Sequence, residues 1–179
     1  MKITFSVLGA SLDAIAAAFK AAIALLLLIM LAINAFNIAS RSIFGGAYDG
    51  VFHWTMLLFI WATCLGVFVY MREHRDVVVD LIAARMPLPI RKVLAVFADM
   101  IGVLFMYMVL SPAIELIGLQ TGHMETIALP IYVHSLPLFL SALCLVAHFA
   151  LHALQVLTGD IEPFPKSDPL EHLDTGAAK

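Results

Sequence analysis

Residues 71–92 read MREHRDVVVDLIAARMPLPIRK and hold five of the chain's ten Lys and Arg residues: Arg72, Arg75, Arg85, Arg91 and Lys92. Glu73, Asp76 and Asp80 stand among them. Placed on a helix, Val77, Val78, Leu81, Ile82 and Met86 fall on one broad arc, and Asp76 and Asp80 fall opposite. Arg85 interrupts the apolar arc, where a long Arg can snorkel its charge to water. The stretch therefore predicts a short amphipathic helix lying along a membrane surface. Pro87 and Pro89 then turn the chain away from it.

The sequence on either side makes this a membrane protein. Of 179 residues, 63% are hydrophobic and 13% charged, with a mean hydropathy of +1.00. A soluble domain carries about 25% charged residues. The net charge is −3 and the remaining basic residues are scattered, which excludes a nucleic-acid surface with Lys and Arg clustered on one face. Cys64 and Cys144 lie inside apolar runs and read as buried thiols. The sequence has no CxxC and no HExxH.

Spanning about 30 Å of hydrocarbon takes roughly 20 apolar residues in a helix. Four segments qualify: about 21–39, 51–71, 93–118 and 136–157. The expected fold is all-α, one membrane domain over 1–158 with four transmembrane helices and the surface helix between the second and third. Pro130 and Pro137 make 128–135 a non-membrane or re-entrant lead-in to the last span. The polar, acidic segment 159–179 (GDIEPFPKSDPLEHLDTGAAK) reads as a disordered tail. The Lys and Arg excess in the second connection, against Arg41 alone in the first, puts that connection and both termini in the cytoplasm. A cleaved signal peptide over 21–33 fits poorly, because the apolar run continues past signal length.

Polar residues within spans are functional candidates by default. Asp99 lies about 10 Å along a helix from Lys92, near the interface or shallowly buried against a basic neighbour. Glu115 falls about 24 Å beyond it, so the two carboxylates cannot form one acid–base pair. Asn34 and Asn37 share a face of the first helix and suit interhelical hydrogen bonding. Trp54 belongs to the outer aromatic belt, and Trp61, deeper on the same face, suits packing against a partner. His148 and His152 share a face of the last helix. Haem ligation by them would need one further mid-membrane histidine from another helix, and His53 and His134 lie near the outer interface.

An ordered set of short elements resembles a known family. Asn37-Ile-Ala-Ser-Arg41-Ser-Ile-Phe44 closes the first helix and His53-Trp54-Thr55 opens the second. Trp61, Gly66, Arg72 and Val77-Val-Val-Asp80 follow, then Met86-Pro87, Arg91-Lys92, Ala128-Leu-Pro-Ile131 and Leu136-Pro137. From about residue 20 to 157 the chain is similar to the small membrane subunit (DctQ-like, Q subunit) of tripartite ATP-independent periplasmic (TRAP) transporters. It departs from that pattern at Met56, where the family often has an acidic residue, and at Asp76, where it often has a histidine.

The resemblance implies a non-enzymatic scaffold without a substrate site, located in the bacterial inner membrane. Its partners would be a large membrane subunit (M subunit), a periplasmic substrate-binding protein (P subunit) and lipid. It further implies sodium-driven uptake of small organic acids such as carboxylates. Sodium would bind the large subunit, so this chain would carry no cofactor or metal. Within that reading Asn34, Asn37, Arg41, Trp54 and Trp61 are candidates for the partner interface. Arg72, Arg75, Asp76, Asp80, Arg85, Arg91 and Lys92 would form and anchor the surface helix. The alternative is a haem-carrying membrane anchor of a redox enzyme using His148 and a second histidine.

Overall fold

The computed structural model of the chain describes residues 2–46, 48, 50–73, 86–112, 115, 118–120, 122, 129–161 and 163, with backbone alone for 2–4. Every regular element among them is helical: α1 (Lys2–Phe44), α2 (Gly50–Glu73), α3 (Leu88–Leu110) and α4 (Tyr132–Thr158). All four are long and apolar enough to cross a membrane. The surface helix expected between α2 and α3 falls on 74–85, outside the described residues, as does the tail from 164 onward.

Local chemistry sets the helix ends. α1 stops at Gly45, whose left-handed φ of 71° costs a glycine nothing. The Gly45 N–H bonds to the Arg41 carbonyl at 3.1 Å, and Arg41 itself lies in the last turn, at the negative end of the helix dipole. α3 begins behind Pro87, with Pro89 in its first turn, where no helical N–H is needed. α4 closes at Gly159, φ 75°, whose N–H reaches the carbonyls of Gln155 and Val156.

Five helix ends lie four or more residues from the expected spans; two of them are the end of α1, at Phe44 rather than about 39, and the start of α3, at Leu88 rather than 93. α1 begins at Lys2 rather than near residue 21 and runs for 43 residues, about 64 Å. Its first part is a helical arm with Phe5, Leu12, Ile15, Ala16 and Phe19 on one face. That face packs with Phe68, Leu145 and Leu151 as the main buried cluster, Phe19 standing edge-on to Phe68 at 5.6 Å between ring centres. α3 stops at Leu110, short of Gly118, with Ser111 N–H on the Tyr107 carbonyl as its last bond. Continuing the helix would drive the Pro112 ring into the Met108 carbonyl. α4 starts at Tyr132 rather than Leu136 and carries Pro137 inside it.

The helices do not pack in chain order. α1 packs on α2, α2 on α4 and α4 on α3, with a smaller α1–α4 contact. The lateral order is therefore α1, α2, α4, α3. Accordingly 28% and 33% of the span residues of α2 and α4 are buried, against 6% and 11% in α1 and α3. The C-terminal ends of α2 and α4 lie at the same end as the start of α3. Arg72, Arg91 and Lys92 stand toward that end, the basic end of the bundle.

The α3–α4 seam depends on a glycine. A methyl group at Gly102 would fall 2.9 Å from the Phe149 ring. Gly102→Ala is expected to destabilise the chain by about 1–3 kcal/mol, the cost of overpacking a tight contact. Thermal unfolding of the detergent-solubilised chain checks this, and adding Phe149→Leu should recover part of the loss.

Candidate functional site

Most of the polar side chains carried into the helices are tied across the bundle, while the buried Ser141 hydroxyl of α4 has no partner among the described residues. Far from the basic end, Asn34 of α1 donates through Nδ2 to the Met30 carbonyl at 2.8 Å and to Thr55 Oγ1 of α2 at 2.9 Å. The Thr55 hydroxyl passes the bond to the Val51 carbonyl at 2.8 Å. Asn37, one turn on, accepts from the Tyr48 N–H at 3.0 Å and fastens the α1–α2 connection instead of the α2 helix. Trp54 and Arg41 are exposed at that end.

Trp61 has a particular task. Pro137 has no N–H, so the carbonyl four residues before it, on Val133, loses its helical donor. Trp61 Nε1–H supplies the missing bond from α2 at 3.1 Å. In hydrocarbon an unpaired carbonyl is expensive, and this bond lets α4 run through a proline that reads as a helix boundary. The indole that suited a partner contact thus spends its polar group within the chain.

At the basic end, Arg72 on the last turn of α2 joins three helices. Its Nε bonds Asp13 Oδ1 at 2.7 Å and its Nη2 the Gly9 carbonyl at 3.1 Å, both on the α1 arm. Its Nη1 meets His148 Nδ1 of α4 at 3.0 Å. A guanidinium nitrogen only donates, so Nδ1 accepts and the His148 proton sits on Nε2. The His148 ring stacks at 6.5 Å on that of His152, whose Nδ1 bonds Asp99 Oδ2 of α3 at 2.7 Å. The Asp99 side chain is only 9% exposed, so the imidazole is the basic neighbour that offsets burying a carboxylate. Asp13, Arg72, His148, His152 and Asp99 therefore form one line that touches all four helices.

Other charged residues are simpler. Lys20 and Glu73 pair at 2.9 Å while largely exposed, an arrangement worth at most about 1 kcal/mol. Arg91 is buried and donates through Nη2 to the Pro163 carbonyl at 2.7 Å. Glu115 lies beyond α3 and is exposed. Arg75, Asp76, Asp80 and Arg85 fall outside the described residues. No group of three or more His, Cys, Asp or Glu able to hold a metal occurs among the described residues. The haem alternative gains no support, since His148 is engaged by Arg72 and His152 by Asp99.

Sequence reasoning overlooked the arm and, with it, Gly9 and Asp13. The available signal was the apolar spacing from Phe5 to Phe19 with a lone acid on the flank. It also treated Pro137 as a boundary, although an unassigned indole donor stood on the neighbouring span.

Four apolar helices bound by internal polar ties describe a multi-pass membrane protein. Residues 30–159 match the DctQ component of tripartite ATP-independent periplasmic transporters, and the chain belongs to that family. Comparison with curated proteins and with solved structures gave no match. The family is one of transporter components rather than enzymes, placed in the inner membrane and working in tripartite complexes with a large membrane component and a periplasmic binding component.

Two substitutions separate these ties. Trp61→Phe keeps the ring but strands the Val133 carbonyl, and should cost about 1–2 kcal/mol in thermal unfolding. Arg72→Met should release the arm, seen as faster protease cleavage between residues 5 and 20. Lys20→Gln, which breaks only an exposed pair, should leave that rate nearly unchanged.

Proposed function

We propose that this chain is the small, non-transporting subunit of a sodium-driven TRAP uptake system for small organic acids such as carboxylates. It braces the large membrane subunit, which carries the substrate and sodium sites. The observation that carries this reading is the use made of its intramembrane polar groups. Asn34, Thr55, Trp61, Arg72, His148, His152 and Asp99 are each bonded to another helix of the same chain. A carrier needs polar groups convergent on a cavity that can exchange solutes, whereas a brace needs them spent on rigidity.

The basic end faces the cytoplasm in this reading, supported by the Lys and Arg excess of the second connection. Arg75, Asp76, Asp80 and Arg85 would then lie on a surface helix beside it, with both termini on the same side. The exposed sides of α1 and α2 that carry Arg41 and Trp54 are the proposed contact with the large subunit, along with the apolar flanks beside Asn34, Asn37 and Trp61.

Reconstitution tests the role. Vesicles holding the large subunit and supplied with the binding protein should take up substrate under an inward sodium gradient only when this chain is present. Undiminished uptake without it would remove the proposal.

A further inference from the structure

α3 and α4 leave an apolar groove between them on their outer side at the basic end. Val93, Val96, Phe97, Met100, Val156 and Leu157 line it, it encloses about 350 Å³, and Lys92 stands at its mouth. A second hollow continues along the same seam past Met100 to Leu104 and Tyr107, with Asp99 on its floor. From Lys92 to Leu104 is about 18 Å along α3, slightly more than one leaflet of a hydrocarbon core of about 30 Å.

Lys92 is half-buried, with its Nζ beside Gly159. It makes no hydrogen bond or ion pair among the described residues. Its neighbour Arg91 is by contrast turned inward to the Pro163 carbonyl. An ammonium above a dry groove resembles the snorkelling geometry of a lysine at the headgroup level. One role for it is to answer the C-terminal dipole of α4, which accounts for the charge but not for the groove below it.

We propose that this seam binds an anionic phospholipid, with the phosphate on Lys92 and one acyl chain along Val93, Phe97 and Met100 to Leu104. Charge complementarity selects the headgroup: an ammonium at the basic end with no partner among the described residues favours a lipid of net negative charge over a zwitterion. The chain length matches one leaflet, and the apolar lining offers the tail side-chain contacts on both walls. Seated there, the tail covers the Asp99–His152 bond and keeps water from it, tightening the contact that holds α3 to α4. The site depends on membrane insertion and not on the proposed transport role.

Native mass spectrometry of the full-length chain in detergent tests this, with phosphatidylglycerol and phosphatidylcholine as probes. Phosphatidylglycerol adducts should exceed phosphatidylcholine adducts about fivefold, the effect of one lysine near an anionic surface. Lys92→Gln should bring the ratio close to one. Met100→Trp, which fills the groove from an exposed position, should reduce both adducts, and Lys20→Gln on α1, which breaks only an exposed pair, should change neither. Equal adducts for the two lipids, or a preference that survives Lys92→Gln, would overturn the proposal. So would a dimer that displaces lipid from the seam.

Discussion

Hydrocarbon offers no hydrogen-bond partner, so a polar group carried into it must find one on the protein. In this chain the consequence is clearest at Arg72. Its guanidinium is divided among Asp13 and Gly9 of the arm and His148 of α4, and its side chain is only 17% exposed. The arm cannot leave without stranding that charge, and α4 cannot rotate without losing the imidazole that accepts from it. From His148 the line continues through His152 to Asp99, so α3, which otherwise touches little but α4, is held by a bond of the same kind. Packing and polar satisfaction act on the same residues here. The buried cluster of Leu12, Ala16, Phe68, Leu145 and Leu151 lies around the arm that Arg72 fastens.

The same constraint explains the opposite half of the bundle. Pro137 would ordinarily end or kink a helix, and its cost falls on one identifiable atom, the Val133 carbonyl. Trp61 meets that atom, while Asn34 and Thr55 join α1 to α2 near the same end. The bundle is thus tied at both ends of its spans, and Gly102 packs tightly against the Phe149 ring beside His148, near the basic end. Such ties resist relative movement of the helices, which is what the proposed bracing role would require.

The number of helices and the central parts of their spans were legible because hydropathy over about 20 residues answers directly to bilayer thickness. Asn34 was legible as a helix-to-helix donor, because burial in lipid leaves such a group few alternatives, whereas Asp99 was left between the interface and shallow burial against a basic neighbour, and the structure shows the latter. The arm was not, since its apolar stripe is amphipathic rather than continuous, and only packing against α2 and α4 gives it a purpose. Nor was the lateral order α1, α2, α4, α3, because short connections suggest sequential neighbours. Pro137 was misread for a related reason: local rules register the missing N–H but not a donor 72 residues from the Val133 carbonyl in the chain. The partners of Arg72 could not be read at all, because a terminal Arg on a span looks like an interface anchor until the fold brings the arm beside it.

In the proposed role these polar groups serve rigidity and assembly rather than the passage of substrate or ion. Uptake kinetics of the reconstituted three-component system carrying Asp99→Asn or Arg72→Met in this chain test it most directly, with the amount of assembled complex measured in the same vesicles. Maximal uptake should fall in proportion to assembled complex, while the apparent affinities for substrate and sodium stay unchanged. A shift in either affinity with assembly intact would contradict it.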